Sequence, residues 1–129
     1  MNVHTESSSF AEVRRLIEGV RPDVIGLVAV DRRWLDALAP TVAGYAGHLE
    51  QPRGDNFGVA LYARAPLEGS IEELGSTLPI VVARVTVGDA RLGILLIHPP
   101  PPLSSAALAE QVDELDAIAD RARQMAGPW

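Results

Sequence analysis

The residues from Leu92 to Leu103 place one histidine, His98, between an apolar run ending at Ile97 and four consecutive prolines, Pro99 to Pro102. A titratable imidazole at the mouth of a buried strand, followed by a stiffened exit, is an arrangement suited to holding a proton donor or acceptor that works near neutral pH. A solvated or merely supporting histidine is the plainer alternative. Two further polar groups sit at predicted strand ends. Asn56 lies in Gly54-Asp55-Asn56-Phe57-Gly58 just before an apolar run, as a candidate substrate-binding amide or, more simply, in an Asx turn, and Arg64, the second substrate-binding candidate, follows that run, either reaching an anion or standing solvated. The proline run reads as a polyproline II turn or as a ligand for an aromatic groove, and its position directly after a core strand favours the turn.

The elements that must position these groups are legible from periodicity. Ser9-x-x-Glu12 has the spacing of a capping box, so a helix is expected from there through Val13, Leu16 and Ile17, stopped at Gly19 and Pro22. The run from Asp23 to Val30 is almost continuously apolar and β-branched, as a strand covered on both faces must be. A short helix over Trp34 to Ala43, disturbed at Pro40, comes next. Further strands are expected over Phe57 to Ala63, Leu78 to Val87 and Leu92 to Ile97, the last two joined as an antiparallel hairpin through Gly88-Asp89-Ala90. Ser104 or Ser105 starts a final helix with Leu108, Val112, Leu115, Ile118, Ala122 and Met125 on one face, broken after Ala126. The order of elements is that of an α/β fold with flanking helices and mixed parallel and antiparallel pairing.

Bulk composition narrows the function classes. The chain has 129 residues, 47% hydrophobic content and no low-complexity tract, and reads as one globular domain with a real core. Zero cysteines exclude disulfides and thiolate metal sites. No apolar run reaches a membrane span of about 20 residues, and the N-terminus lacks the pattern of a signal peptide, so a cytoplasmic location is expected. A formal net charge of −6 disfavours generic binding to long nucleic acids. The arginines at Arg14, Arg15, Arg32, Arg33, Arg121 and Arg123 are explained by helix ends and solubility as well as by an anion site. There is no glycine-rich phosphate loop, no Gly-x-Ser-x-Gly elbow and no His-Glu-x-x-His.

Several blocks together carry a resemblance. Asn2-Val3, Arg21-Pro22-Asp23-Val24-Ile25 with Val30 to Leu35, Pro52 to Leu61, and His98-Pro99-x-Pro101-Pro102-Leu103-Ser104 resemble, in order and over nearly the whole chain, the endonuclease/exonuclease/phosphatase family. The likeness is greatest to its bacterial membrane-tethered branch. It covers about the first half of the family domain, so residues 1–129 are expected to form a single partial domain, half of the family's two-sheet α/β sandwich.

The resemblance implies a phosphate-ester ligand and hydrolysis assisted by Mg²⁺ or Mn²⁺. Asn2 takes the position of the asparagine that orients a metal ligand or phosphate oxygen, and His98 that of a histidine near the scissile phosphate. Two departures accompany it. Where the family has a metal-binding glutamate after its second strand this chain has Ala29, so no metal ligand is assigned, and Asp31 is about 7 Å further along an extended chain. The family's later catalytic blocks lie beyond Trp129, and the first strand is short, as in either a fragment or a minimal version whose open sheet is covered by a partner or a second copy. Two functions are therefore carried forward, a catalytically impaired metal-dependent phosphoesterase and a non-catalytic half-domain serving dimerisation or partner binding.

Overall fold

The computed structural model describes residues 1–4, 8–73, 78–98 and 104–125. In chain order the elements are α1 (Phe10–Val20), β1 (Val24–Val28), α2 (Arg32–Val42), β2 (Gly47–Gln51), β3 (Val59–Ala63), β4 (Leu67–Glu73), β5 (Pro79–Val87), β6 (Ala90–Leu96) and α3 (Ser105–Met125). They form two three-stranded sheets, ordered β1-β3-β2 and β4-β5-β6. All four strand pairs are antiparallel. The parallel contribution is an isolated bridge between Asn2 and Val28.

Alternation of side chains along the strands builds four layers, helix, sheet, sheet and helix. On β3, Ala60 and Tyr62 face α1 and α2, where they meet Ile25, Leu27, Trp34 and Leu38. Val59 and Leu61 point the other way and pack with Val28, Val81 and Ala83 between the two sheets. On β5, Ile80 and Val82 turn outward to Ile118 and Met125 of α3. Strand β3 is thus buried along its whole length, as its unbroken apolar run requires. Trp34, fully buried, meets Phe10 edge to face with ring centroids 4.5 Å apart, joining the two helices.

Three sequence expectations change in detail. α1 begins after Ser9 as the spacing predicts, but the Ser9 side chain makes no cap hydrogen bond to the helix, whereas Asp31 caps α2 by accepting from the Trp34 amide at 3.0 Å. Strands β2 and β4 were not anticipated; their sequences, GHLEQ and LEGSIEE, lie at sheet edges, are mostly exposed or half-buried and lack an apolar run. The predicted stripe of α3 is only half used: Ile118 and Met125 are buried, while Leu108, Val112 and Leu115 are exposed. The polyproline turn at 99–102 and the break after Ala126 fall outside the described residues.

Candidate functional site

The end of β1 is where the predicted groups converge. Val28 ends the strand, and Ala29 turns into the left-handed region at φ 65° while fully buried. That conformation costs an alanine roughly 1 kcal/mol, and the opposite loop holds it there. The Gly58 carbonyl accepts from the Ala29 amide at 2.8 Å and from the Val30 amide at 3.4 Å, and the Val30 carbonyl accepts from the Arg53 amide at 3.0 Å. Approach is so close that a Cβ on Gly58 would lie 1.9 Å from the Val30 carbonyl oxygen. Glycine is required at that point by space rather than by φ.

Residues 52–58 are shaped by Asp55, not by Asn56. The Asp55 carboxylate accepts from the Phe57 amide at 3.1 Å, closing an Asx turn, and binds the Arg53 guanidinium through Nε at 3.0 and 3.1 Å. The Arg53 bond, opposed by burial and assisted by the Phe57 amide, holds the Asp55 carboxyl below its ordinary range. Asn56 is exposed at φ 72°, a conformation asparagine tolerates better than most residues. Its carboxamide role as a ligand group remains an expectation from the sequence.

The loop then carries the site across to His98. Phe57 stacks against the His98 ring at 5.3 Å between centroids, tilted by 45°. His98 is half-buried, and its Nδ1 is buried without a hydrogen-bond partner among the described residues. A buried imidazole nitrogen left unsatisfied is costly, and an oxygen acceptor or donor brought beside it recovers that cost. Asn2 reaches the same strand end from the other side. The Val28 amide donates to the Met1 carbonyl at 2.8 Å and the Val3 amide to the Val28 carbonyl at 3.1 Å, so Asn2 is paired beside the residue preceding Ala29. Its Oδ1 accepts from the His4 amide at 3.1 Å. Asp31 is occupied as helix cap and by Arg33 Nε at 3.1 Å. Burial pushes its carboxyl up, and these bonds together pull it below its ordinary range.

Arg64 lies elsewhere. Its guanidinium donates to the carbonyls of Arg21 at 2.8 Å and Pro22 at 3.2 Å and covers the Tyr45 ring at 5.7 Å. Its amide donates to the Asp23 carbonyl at 3.0 Å, fixing it at the start of β1. Ala29 stands six residue steps along the strand from Asp23, about 20 Å. Arg64 borders a cavity of about 410 Å³ with Glu18, Arg21, Thr41 and Tyr45, among the C-terminal turns of α1 and α2. The structure brings Asn2, Ala29, Gly58, Phe57 and His98 to one end and leaves Arg64 at the other.

The donor set at the Ala29 end does not suit a hard divalent cation, which takes carboxylate oxygens. Ala29 offers a methyl group, Asp31 and Asp55 are turned to caps and arginines, and among the described residues no three His, Cys, Asp or Glu side chains converge. Gly58 and Phe57 are the positions that sequence reasoning passed over. A glycine at the entry to a buried strand is one mark of close backbone approach.

The family's sequence model matches residues 1–129. The chain belongs to the endonuclease/exonuclease/phosphatase family. Solved structures agree on the fold. A humanized D. rerio TDP2 carrying 14 mutations superposes with a TM-score of 0.77 at 14% identity, over 95% of this chain and 54% of that one. Selenomethionine TDP2 from Caenorhabditis elegans gives 0.78 at 14% identity, over 97% and 40%. SmcL gives 0.63 at 15% identity, over 99% and 57%. The chain spans about half the length of these structures. No curated protein sequence matches it significantly. Members of the family are generally divalent-metal dependent.

Proposed function

We propose that this chain keeps the phosphate-ester-binding end of a metal-dependent phosphoesterase while its own hydrolytic chemistry is impaired. The observation that carries the reading is Ala29, buried at the strand end between Asn2 and the Phe57–His98 pair, where family resemblance places the metal glutamate. In this reading His98 is the acid or hydrogen-bond donor to a phosphate oxygen, and Asn2 an orienting amide. Asn56 stands on the loop that carries Phe57 and lends a further polar group to the ligand. Arg64, at the far end of β1, is a structural staple. Mg²⁺ or Mn²⁺ is the cofactor class that family membership suggests, and the side chains here supply no carboxylate to hold it in place of Ala29.

The alternative is a non-catalytic half-domain that pairs with a second copy or another partner. It is favoured by the exposed apolar residues Leu108, Val112 and Leu115 on α3. Among the described residues no helix is long and apolar enough to cross a membrane.

The test combines turnover and cation binding. Hydrolysis of bis(4-nitrophenyl) phosphate with Mn²⁺ is measured for the wild type, His98→Ala and Ala29→Glu, with EDTA controls, beside thermal melting with and without Mn²⁺. Wild type is expected to show no EDTA-sensitive turnover and no melting shift. Ala29→Glu is expected to melt lower without the cation, because it buries an unpaired carboxylate, and to recover with Mn²⁺. Wild-type turnover abolished by both EDTA and His98→Ala overturns the impairment, and an Ala29→Glu chain indifferent to Mn²⁺ overturns the assignment of the Ala29 position.

A further inference from the structure

The loop of residues 52–58 is fixed near both ends to the exit of β1. The Arg53 amide donates to the Val30 carbonyl at 3.0 Å, and the Gly58 carbonyl accepts from the Ala29 amide at 2.8 Å. Between these anchors the chain turns, with a non-glycine residue in the left-handed region, Asn56 at φ 72°. The Asp55 side chain holds that turn. Its Oδ1 accepts from the Phe57 amide and from Arg53 Nε, both at 3.1 Å, while Oδ2 accepts from Arg53 Nε at 3.0 Å and from Nη2. Asp55 is exposed, so its effect on the loop comes through these bonds and not through packing.

His98 meets the other side of this turn. Among the described residues its Nδ1 has no hydrogen-bond partner, so no polar contact there sets the angle of the ring. The side chain that faces the imidazole is Phe57, 5.3 Å away between centroids and tilted by 45°. A group oriented by packing keeps its angle only while the packing partner keeps its own. Phe57 in turn is the residue whose amide Asp55 binds, one position after the left-handed Asn56 and one before the anchored Gly58.

We propose that Asp55 is a positioning residue for His98, acting through Phe57: its side-chain oxygen closes the turn at Asn56, and the turn lays the Phe57 ring against the imidazole. The acceptor is the part that matters. An asparagine amide closes an Asx turn as an aspartate does, whereas the ion pair with Arg53, whose side chains are 29% and 46% exposed, contributes little by itself. The inference rests on the proposed phosphate-ester reading only in its last link, the meeting of the imidazole so placed with a phosphate oxygen.

The test uses nuclear magnetic resonance of the 129-residue chain carrying isotopically labelled histidine, with His98 identified among the three histidines by His98→Gln, and inorganic phosphate as the probe. The ring current of Phe57 is expected to displace the wild-type His98 ring resonances, and Phe57→Leu to remove that displacement and so set its full size. Asp55→Ala is expected to lose most of the displacement and to weaken the response of His98 to phosphate about tenfold. Asp55→Asn is expected to keep the displacement and to bind phosphate within about threefold of wild type. Both Asp55 variants lose the charge pair with Arg53, so a loss of loop stability alone would move them together. An Asp55→Ala chain with wild-type His98 resonances, or an Asp55→Asn chain that matches Asp55→Ala, overturns the positioning role. Displacements that follow this series in a chain whose His98 ignores phosphate support the positioning role and overturn the phosphate reading of the His98 end.

Discussion

Replacing Gly58 by alanine should reveal how firmly the site's frame is held. The new Cβ would fall 1.9 Å from the Val30 carbonyl oxygen, 2.6 Å from the Arg53 nitrogen and 3.0 Å from the Val30 carbonyl carbon, all backbone atoms that no rotamer change can move. Relief requires separating the 52–58 loop from the exit of β1, which breaks the Arg53-to-Val30 hydrogen bond of 3.0 Å. Losing that buried bond costs about 1–3 kcal/mol, and the residual crowding a further 1–3 kcal/mol or so. A net loss of about 3 kcal/mol corresponds to a fall of roughly 10 °C in melting temperature for a domain of this size. The control is Gly54→Ala in the same loop, where nothing lies within 4 Å of the added Cβ, so its effect should stay within about 0.5 kcal/mol. Urea unfolding followed by circular dichroism gives both values. If Gly58→Ala and Gly54→Ala melt alike, the close approach does not hold Ala29 in its turn, and the argument that the frame is backbone-determined fails.

Two pH dependences follow from side chains away from the site. Arg121 binds Glu72 through Nε at 3.2 Å and Nη2 at 3.0 Å and, against a smaller opposing effect of burial, holds the Glu72 carboxyl below its ordinary value of 4.5. A depressed carboxyl contributes stability that is present above the unfolded value and is lost as pH falls through the folded one. Melting temperatures measured downward from neutral pH should therefore fall less steeply in Arg121→Met than in wild type, by a small margin because the pair is partly solvated; identical acid limbs would mean the pair contributes nothing. Tyr62 behaves oppositely. Burial first, then the charge of Glu50, which accepts its hydroxyl at 3.1 Å, raises the phenol above its ordinary 10. Its contribution is complete below the unfolded value and is lost as pH rises, so wild type should lose stability above about pH 10 more steeply than Tyr62→Phe. Parallel alkaline limbs would remove Tyr62 as the cause.

What the sequence disclosed depended on whether an element's apolar pattern was complete within itself. β3, buried on both faces, and the β5–β6 hairpin have such patterns and were legible, as was α2 from Trp34 onward. β2 and β4 are edge strands with charged or glycine residues at half their positions, and tertiary pairing alone makes them strands. The α3 stripe was legible as a face, yet periodicity cannot say which part of it the sheet covers, so nothing in the pattern separates Leu108, Val112 and Leu115 from the buried Ile118 and Met125. The same division holds at the site. His98 stands out by type and position and Asn2 through the family resemblance, but the contact that organises His98 is Phe57, and the contact that organises Ala29 is the missing side chain of Gly58. Neither follows from spacing. Arg64 reads as a ligand group in sequence because a strand-end arginine could reach an anion; only the fold assigns it to two carbonyls and an aromatic ring at the other end of β1.

Ala29 is where structure and chemistry separate. Its left-handed turn, its burial and its bond to the Gly58 carbonyl are properties of the backbone, and all three persist with a side chain that can ligate nothing. An alanine gains nothing from φ 65°; the conformation is imposed by the loop opposite, which also carries Phe57 to the His98 ring. The frame at position 29 is therefore stabilised independently of the side chain it carries. That independence is why Ala29→Glu, at the position the proposed reading gives to the metal glutamate, is the informative change: it adds a charge to a turn that the backbone holds whatever the side chain. Cation-dependent recovery of stability would then report the chemistry of the site alone.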